Sequence, residues 1–472
     1  MRSEQDSERL TALEQERSAL AARRDNLLEQ LRALEDSLRR NSIEIAVYAP
    51  VYTLPEDVLK LIFEDACGHE TEHECTFEEK LPAVSHVSRC WRQTALSLPT
   101  IWKCLHIGDH EELLRLRLER SGGMHLQIQL IQRGELSLDH ALRQRLIGSF
   151  QSILEAEGSR WKGCHLVTRD RLLMNELLSF LSVFESHTMR NLSARLLAAP
   201  EVSLHRELLQ TTLPVCHGLR NMTTSALLFP FVSSSFANLR TLSIMRRRMS
   251  SEDIHELAKA APQLVELILF AVEPAYEGRS YLSNYMNLRT LSVQLSGGWE
   301  DILSNFHAPI LETIHANQNP LLSSFDIPAQ GLPVFRSVRH LDLGGTVGKG
   351  QDHDGHVFRQ TPNVVTLDLF AFTRTLHLIE CLEKTQENLL PMLERLIVSE
   401  VCDAPYDEYQ HLLRFIQRRA SGTRPLKELR MGARMRREMN PQTLETISQW
   451  VTITTDPRPE PTRESWLWPL EN

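Results

Sequence analysis

The chain has 472 residues, and 52 Lys and Arg against 61 Asp and Glu give a formal net charge of −9. Apolar residues at 42% and charged residues at 24% match a folded globular protein, which excludes global disorder, and the length allows about two to four folded units. The acidic balance argues against a general nucleic-acid binder. No apolar run approaches the roughly 18–20 residues of a membrane helix, and the polar start MRSEQDSERL lacks the form of a signal peptide. Eight scattered cysteines are too sparse for a disulfide scaffold. The expectation is a non-membrane protein of the cytoplasm, the nucleus or both.

Residues 1–46 contain no Gly or Pro and are dense in Glu, Arg, Leu and Ala, which predicts one helix. A heptad frame places Leu13, Leu20, Leu27 and Leu34 at d, and Leu10, Leu31 and Leu38 at a. Arg17 and Arg24 also fall at a and weaken the middle of that seam. Two outcomes stay open: self-association as a homodimeric coiled coil, or a solvated helix with one apolar stripe that packs within the chain.

Residues 50–106 change character to a small apolar block with two helical patterns. The first opens at Leu54-Pro55-Glu56-Asp57, with Thr53 as a cap and Val58, Leu59, Ile62, Phe63 and Ala66 along one side. The second runs from Pro82 through Arg92, with Val84, Val87, Trp91, Ala95 and Leu98 at spacings of three or four, and closes on Leu98-Pro99-Thr100-Ile101-Trp102. So small a block exposes more apolar surface than it can cover, which predicts a helix-packing partner.

These three elements, in this order, resemble the F-box family. The order of Val, Arg and Cys before Trp91 is slightly permuted against the usual one, and an acidic insert, 67–80, separates the two patterns. The resemblance implies docking onto a Skp-type adaptor that joins a cullin–RING ubiquitin ligase. It implies an adaptor-facing set of Leu54, Pro55, Val58, Leu59, Ile62, Val84, Val87 and Trp91. Phe63, Leu98 and Trp102 are expected to hold the bundle together.

Residues 107–235 read as a helix-rich connecting region with first irregular repeats and one alternating strand, residues 125–130. From 236 to 455 a Leu-x-x-Leu-x-Leu pattern recurs, starting at Leu239, Leu264, Leu288, Leu311, Val338, Val364, Leu393 and Leu426. Positions 4 and 6 alternate as a strand does, so pairs such as Leu242 and Ile244 are expected to point into a core shared by stacked units. The helical return from Ser250 carries a capping pair, Ser250 with Asp253. The turn Asn of the repeat pattern occurs once, at Asn319. This resembles a degenerate leucine-rich-repeat array, of the kind that follows an F-box in fungal families and selects the substrate protein. Residues 456–472 form a Pro/Trp tail, expected to cap the last repeat.

The fold class expected is therefore α/β: an N-terminal helix, a small all-α F-box, then a leucine-rich-repeat-like solenoid with parallel strands and helical returns. Outward strand positions 3, 5 and 7 are the recognition surface, with Met245, Phe270, His315, Asp342, Phe370 and Arg395 as candidate substrate-binding residues. No catalytic residue, cofactor or metal is expected. The insert contains His69-Glu70-Thr71-Glu72-His73, but no apolar helix face frames it, and a solvated acidic loop is preferred over a zinc site. Gly344 to Gly350 imitates a phosphate loop with one residue too few and no Ser or Thr after the lysine. The function expected is substrate recognition for an SCF-type ligase; the alternative is a non-catalytic repeat scaffold whose F-box engages no ligase.

Overall fold

The structure, a computed structural model, describes residues 4–48, 54–68, 86–132, 138–183, 188–197, 217–225, 236–245, 248–274, 281–295, 306–318, 335–345, 358–370, 379, 382–383, 389–399, 408–422 and 424–456. The chain divides into two compact units, Met1–Ile101 and Trp102–Asn472. Val84, the 69–73 motif, Asn319, most of the glycine-rich stretch and the Pro/Trp tail lie outside the described residues.

In the first unit, α1 spans Glu4–Tyr48 without interruption, as its composition predicts. Its described side chains, residues 9–41, are all exposed. Helix α2 (Glu56–Gly68) starts with Glu56 and Asp57, whose charge suits the positive end of the helix dipole, and Lys60 pairs with Glu56 at 2.7 Å. Helix α3 (Arg89–Ser97) is capped by Ser88, whose hydroxyl accepts the Trp91 N–H at 3.1 Å. A 3-10 turn, Pro99–Trp102, follows. Leu59, Phe63, Thr94, Ala95, Leu98 and Ile101 are buried. Phe63 meets Trp91 edge-on at 5.1 Å. The Thr100 hydroxyl donates to Glu64 at 2.9 Å and ties the turn back to α2.

The second unit is built on one long, open, parallel sheet. Its strands are β1 (Cys104–His106), β2 (Leu126–Ile131), β3 (Trp161–Thr168), β4 (Asn191–Leu196), β5 (Asn221–Thr224), β6 (Thr241–Met245) and β7 (Arg248–Met249). They continue with β8 (Glu266–Pro274), β9 (Ser283–Asn284), β10 (Thr290–Leu295), β11 (Phe306–His307), β12 (Thr313–Gln318) and β13 (His340–Gly345). The last are β14 (Thr366–Phe370), β15 (Arg395–Val398), β16 (Glu428–Met431) and β17 (Thr452–Thr455). Fourteen of them pair in chain order from β1 to β17; β7 pairs only with β8, and β9 with β11 form a separate ribbon. The described helices of this unit are α4 (Glu111–Ser121), α5 (His140–Glu157), α6 (Arg171–Val183), α7 (Ser251–Ala260), α8 (Glu408–Ala420), α9 (Ala433–Glu438) and α10 (Pro441–Ser448).

The sheet starts at Cys104, not near 236, and the region 107–235 contributes four strands to it. Those strands carry the same pattern with coarser substitutions. Trp161-x-x-Cys164-x-Leu166, Met189-x-x-Leu192-x-Ala194 and Leu219-x-x-Met222-x-Thr224 occupy the register of Leu239-x-x-Leu242-x-Ile244, and all are buried. Burial at these positions needs volume rather than leucine as such, so Trp, Met and Cys serve where a strict leucine pattern finds nothing.

One core runs continuously from Leu105 to Val451. Positions 1, 4 and 6 of each expected repeat lie in it, with Leu242, Leu267, Leu291, Ile314, Leu341, Leu367, Leu396 and Leu429 all fully buried. The Ser250–Asp253 capping box opens α7 as the sequence predicts. Tyr285 is buried, stacks on Phe306 at 4.8 Å and donates its hydroxyl to the Ile254 carbonyl at 2.8 Å; burial pushes its phenol well above the ordinary range. Gly432 passes so close to the Ser399 backbone that a Cβ there would overlap the Ser399 carbonyl oxygen. Arg419, buried among apolar neighbours, donates to the carbonyls of Leu390 at 3.1 Å and Leu393 at 2.7 Å.

Candidate functional site

The small helical block offers an apolar surface. Successive residues of α2 alternate in fate: Leu59 and Phe63 turn inward and are buried, while Leu61 is 65% exposed and Ile62 is 38% exposed. Val87, just before α3, is 41% exposed. Of the eight residues expected to face an adaptor, Ile62, Val87 and Pro55 are exposed, and Leu54, Val58 and Trp91 are half-buried. Leu59 is 1% exposed, so it belongs to the unit's own core. Leu61, the most exposed apolar side chain of α2, was not in the expected set, because the family motif leaves its position unspecified. The Trp91 indole packs on Phe63, and its buried N–H has no hydrogen-bond partner among the described residues.

The second surface is the sheet face opposite the core. Strand pairing places residues from successive strands in rows about 4.8 Å apart. One row reads Asn191, Asn221, Thr241, Glu266, Thr290, Thr313, His340, Thr366, Arg395, Glu428. The next reads Ser193, Thr223, Ser243, Ile268, Ser292, His315, Asp342, Asp368, Ile397, Arg430. The strand register sets the expected positions 3 and 5 side by side, but Ser243, Thr366, Asp368 and Ile397 among them are buried.

The rows are cross-linked by short polar contacts. The Asn221 amide donates to Asn191 at 2.8 Å, a ladder that a leucine-based search starting at 239 does not reach. His315 meets Asp342 at 3.0 Å, with the His340 ring 5.8 Å from His315. Arg395 and Arg430 both donate to Glu428 at 2.7 Å, and the Thr454 hydroxyl adds a third bond at 3.1 Å. Arg430 above all, then Arg395 and Thr454, hold the Glu428 carboxyl below its usual range despite partial burial. Gln127 lies over Gly163, where a side chain would meet its amide.

Of the six candidate substrate contacts, His315, Asp342 and Arg395 are accessible polar members of this face. Phe270 is half-buried, and Met245 is 9% exposed, so Met245 serves packing more than contact. Phe370 ends β14, and its side chain lies outside the described residues.

This face offers polar groups for non-covalent contacts. Rows of Asn, Thr and Ser present donors and acceptors at strand spacing, interrupted by charged groups already paired with one another. Among the described residues no group of three or more His, Cys, Asp or Glu side chains is placed to hold a metal ion. No described helix is long and apolar enough to cross a membrane. No family model matches the sequence, and no curated protein sequence matches it significantly.

Proposed function

We propose that the chain is a non-catalytic substrate-recognition subunit of an SCF-type cullin–RING ubiquitin ligase. Its 54–102 block is an F-box that docks a Skp-type adaptor, and its repeat sheet holds a substrate protein near the ligase. The contribution to ubiquitin transfer is proximity and orientation.

The observation that carries this reading is the apolar surface of Leu61, Ile62 and Val87 on a block that follows the F-box motif order. Exposed apolar groups on so small a unit call for a partner helix or groove. The polar rows of the sheet supply what a substrate-selecting repeat array needs: directional contacts that favour one protein over another.

Leu59 is the wrong residue with which to test this, because a charge there breaks the block's own core. The triple substitution Leu61→Lys, Ile62→Lys, Val87→Lys changes only exposed positions. The full-length chain is expected to co-purify with the Skp-type adaptor and the triple variant is not, with helix content unchanged by circular dichroism. Undiminished capture by the folded triple variant would sink the proposed face. A wild-type chain that captures no adaptor, yet loses its other protein partners on substitution of His315 and Arg395, is instead a repeat scaffold.

A further inference from the structure

Helix α1 presents an apolar seam that nothing in the described chain covers. Leu10, Leu13, Leu20, Leu27, Leu31, Leu34 and Leu38 are each between 51% and 60% exposed and occupy the a and d positions of one heptad frame. A helix of 45 residues with no packed described side chain lacks the tertiary contacts from which protein helices normally draw their stability. Seven leucines at about 100 Å² of apolar surface each approach the roughly 800 Å² per partner of a standard stable interface. The area matches one more helix of the same kind.

We infer that α1 pairs with α1 of a second copy of this chain, and that the two helices run antiparallel. The charges decide the orientation. In a parallel, in-register pair, Arg17 and Arg24 at a would each face their own counterpart across the seam. The stretch 4–16, with five acidic residues against Arg9, would also lie along its own copy. An antiparallel pair sets a against d, so each arginine meets a leucine.

Among antiparallel registers with a opposite d, one overlaps the two helices over essentially their whole length. There Leu38 faces Leu13 of the second copy, Leu31 faces Leu20, Arg24 faces Leu27 and Arg17 faces Leu34. Arg17 then stands between Glu14 of its own helix and Glu35 of the second copy, and its charge offsets their mutual repulsion. Its aliphatic stem covers the leucine while its head stays in water. Arg24 already turns sideways to Asp25, with Nη2 at 2.7 Å from the carboxylate, leaving its stem for Leu27. This pairing is independent of the receptor reading, since it uses no residue of the 54–102 block or of the sheet.

Sedimentation equilibrium of the full-length chain at micromolar concentration is expected to give twice the chain mass. Leu20→Lys with Leu31→Lys, both at exposed positions, is expected to weaken the dimer on the order of a hundredfold or more, with thermal unfolding of the repeat unit unchanged. Arg17→Glu should weaken it about tenfold, and Arg17→Glu with Glu35→Arg should restore it. For the orientation, a mixture of Leu13→Cys and Leu38→Cys chains should disulfide-link above the wild-type background. Neither variant alone should link, because like positions are about 37 Å apart along the seam. A monomeric wild-type chain, or an undiminished dimer in the Leu20/Leu31 variant, overturns the pairing. Self-linking of Leu13→Cys, or no rescue by Glu35→Arg, overturns the antiparallel register.

Discussion

The helical block and the repeat sheet treat their apolar residues differently. In the sheet, Leu341 and Leu343 of β13 are hidden on the core side, and the rows opposite are mostly Thr, Ser, Asn, His and charged residues. In the block, Leu59 and Phe63 are buried while the adjacent Leu61 and Ile62 stay exposed. Stacked repeats give every core face a neighbour, whereas two short helices have too few layers to cover both sides. The block therefore leaves apolar side chains exposed, where the sheet presents mainly polar ones.

The sharpest way to break this contrast is inside α2. Phe63→Ala removes a fully buried ring and its edge contact with Trp91, and should cost the block about 3–5 kcal/mol. Leu61→Ala, two residues away and 65% exposed, should change stability by no more than about 0.5 kcal/mol. Hydrogen exchange at the amides of α2 and α3 reads both without assuming two-state unfolding of the whole chain. Comparable loss of protection in the two variants would mean that Leu61 is core and that the block has no free apolar face.

A second test concerns charge buried in the repeat unit. Asp170 precedes α6, and one carboxylate oxygen accepts the Leu173 N–H at 3.0 Å. The other accepts the Leu138 N–H at 3.0 Å and Arg143 Nη2 at 2.8 Å. Burial alone would raise the Asp170 pKa, but the bonds from Leu173, Arg143 and Leu138 and the Arg143 charge together hold it below the usual carboxylate value. A folded-state pKa below the unfolded one gives stability that is full above about pH 4 and lost as pH falls through the folded value. Asp170→Asn keeps the shape and loses the charge, so it should cost about 1–3 kcal/mol at neutral pH. It should also flatten the acid limb of the stability profile. An unchanged acid limb in the variant would show that other carboxylates govern it.

How much of this was legible in the sequence depended on whether a period or a neighbour decided the outcome. The repeat registers were readable because a one-residue slip would turn Leu242 and Ile244 away from the core, so the alternation itself sets the face. The Ser250–Asp253 box was readable because its partners are three residues apart. The strands at Trp161, Met189 and Leu219 were hidden because a buried site accepts several side chains of adequate volume. Periodicity put Leu59 and Phe63 on one stripe of α2 and left Leu61 off it, but whether that stripe meets the block's own core or a partner is a tertiary fact. The set expected to face an adaptor therefore mixes core with surface.

The smallest expected effect bears on the other half of the contrast. Arg395 is 46% exposed in its bond to Glu428, and Arg430 and Thr454 hold the same carboxylate from other directions. Arg395→Ala should therefore cost less than about 1 kcal/mol, and even that difference should shrink in high salt, which screens exposed pairs. Thermal unfolding at low and high salt measures it. If the face is built for recognition, the same substitution should weaken partner capture by more than it weakens the fold. The side chain supplies directional donors whose loss in a buried interface leaves the partner's groups unpaired. A stability cost as large as that of Phe63→Ala would instead make Arg395 and Glu428 a structural clamp between β15 and β16, and the polar rows would lose their claim to be a selecting surface.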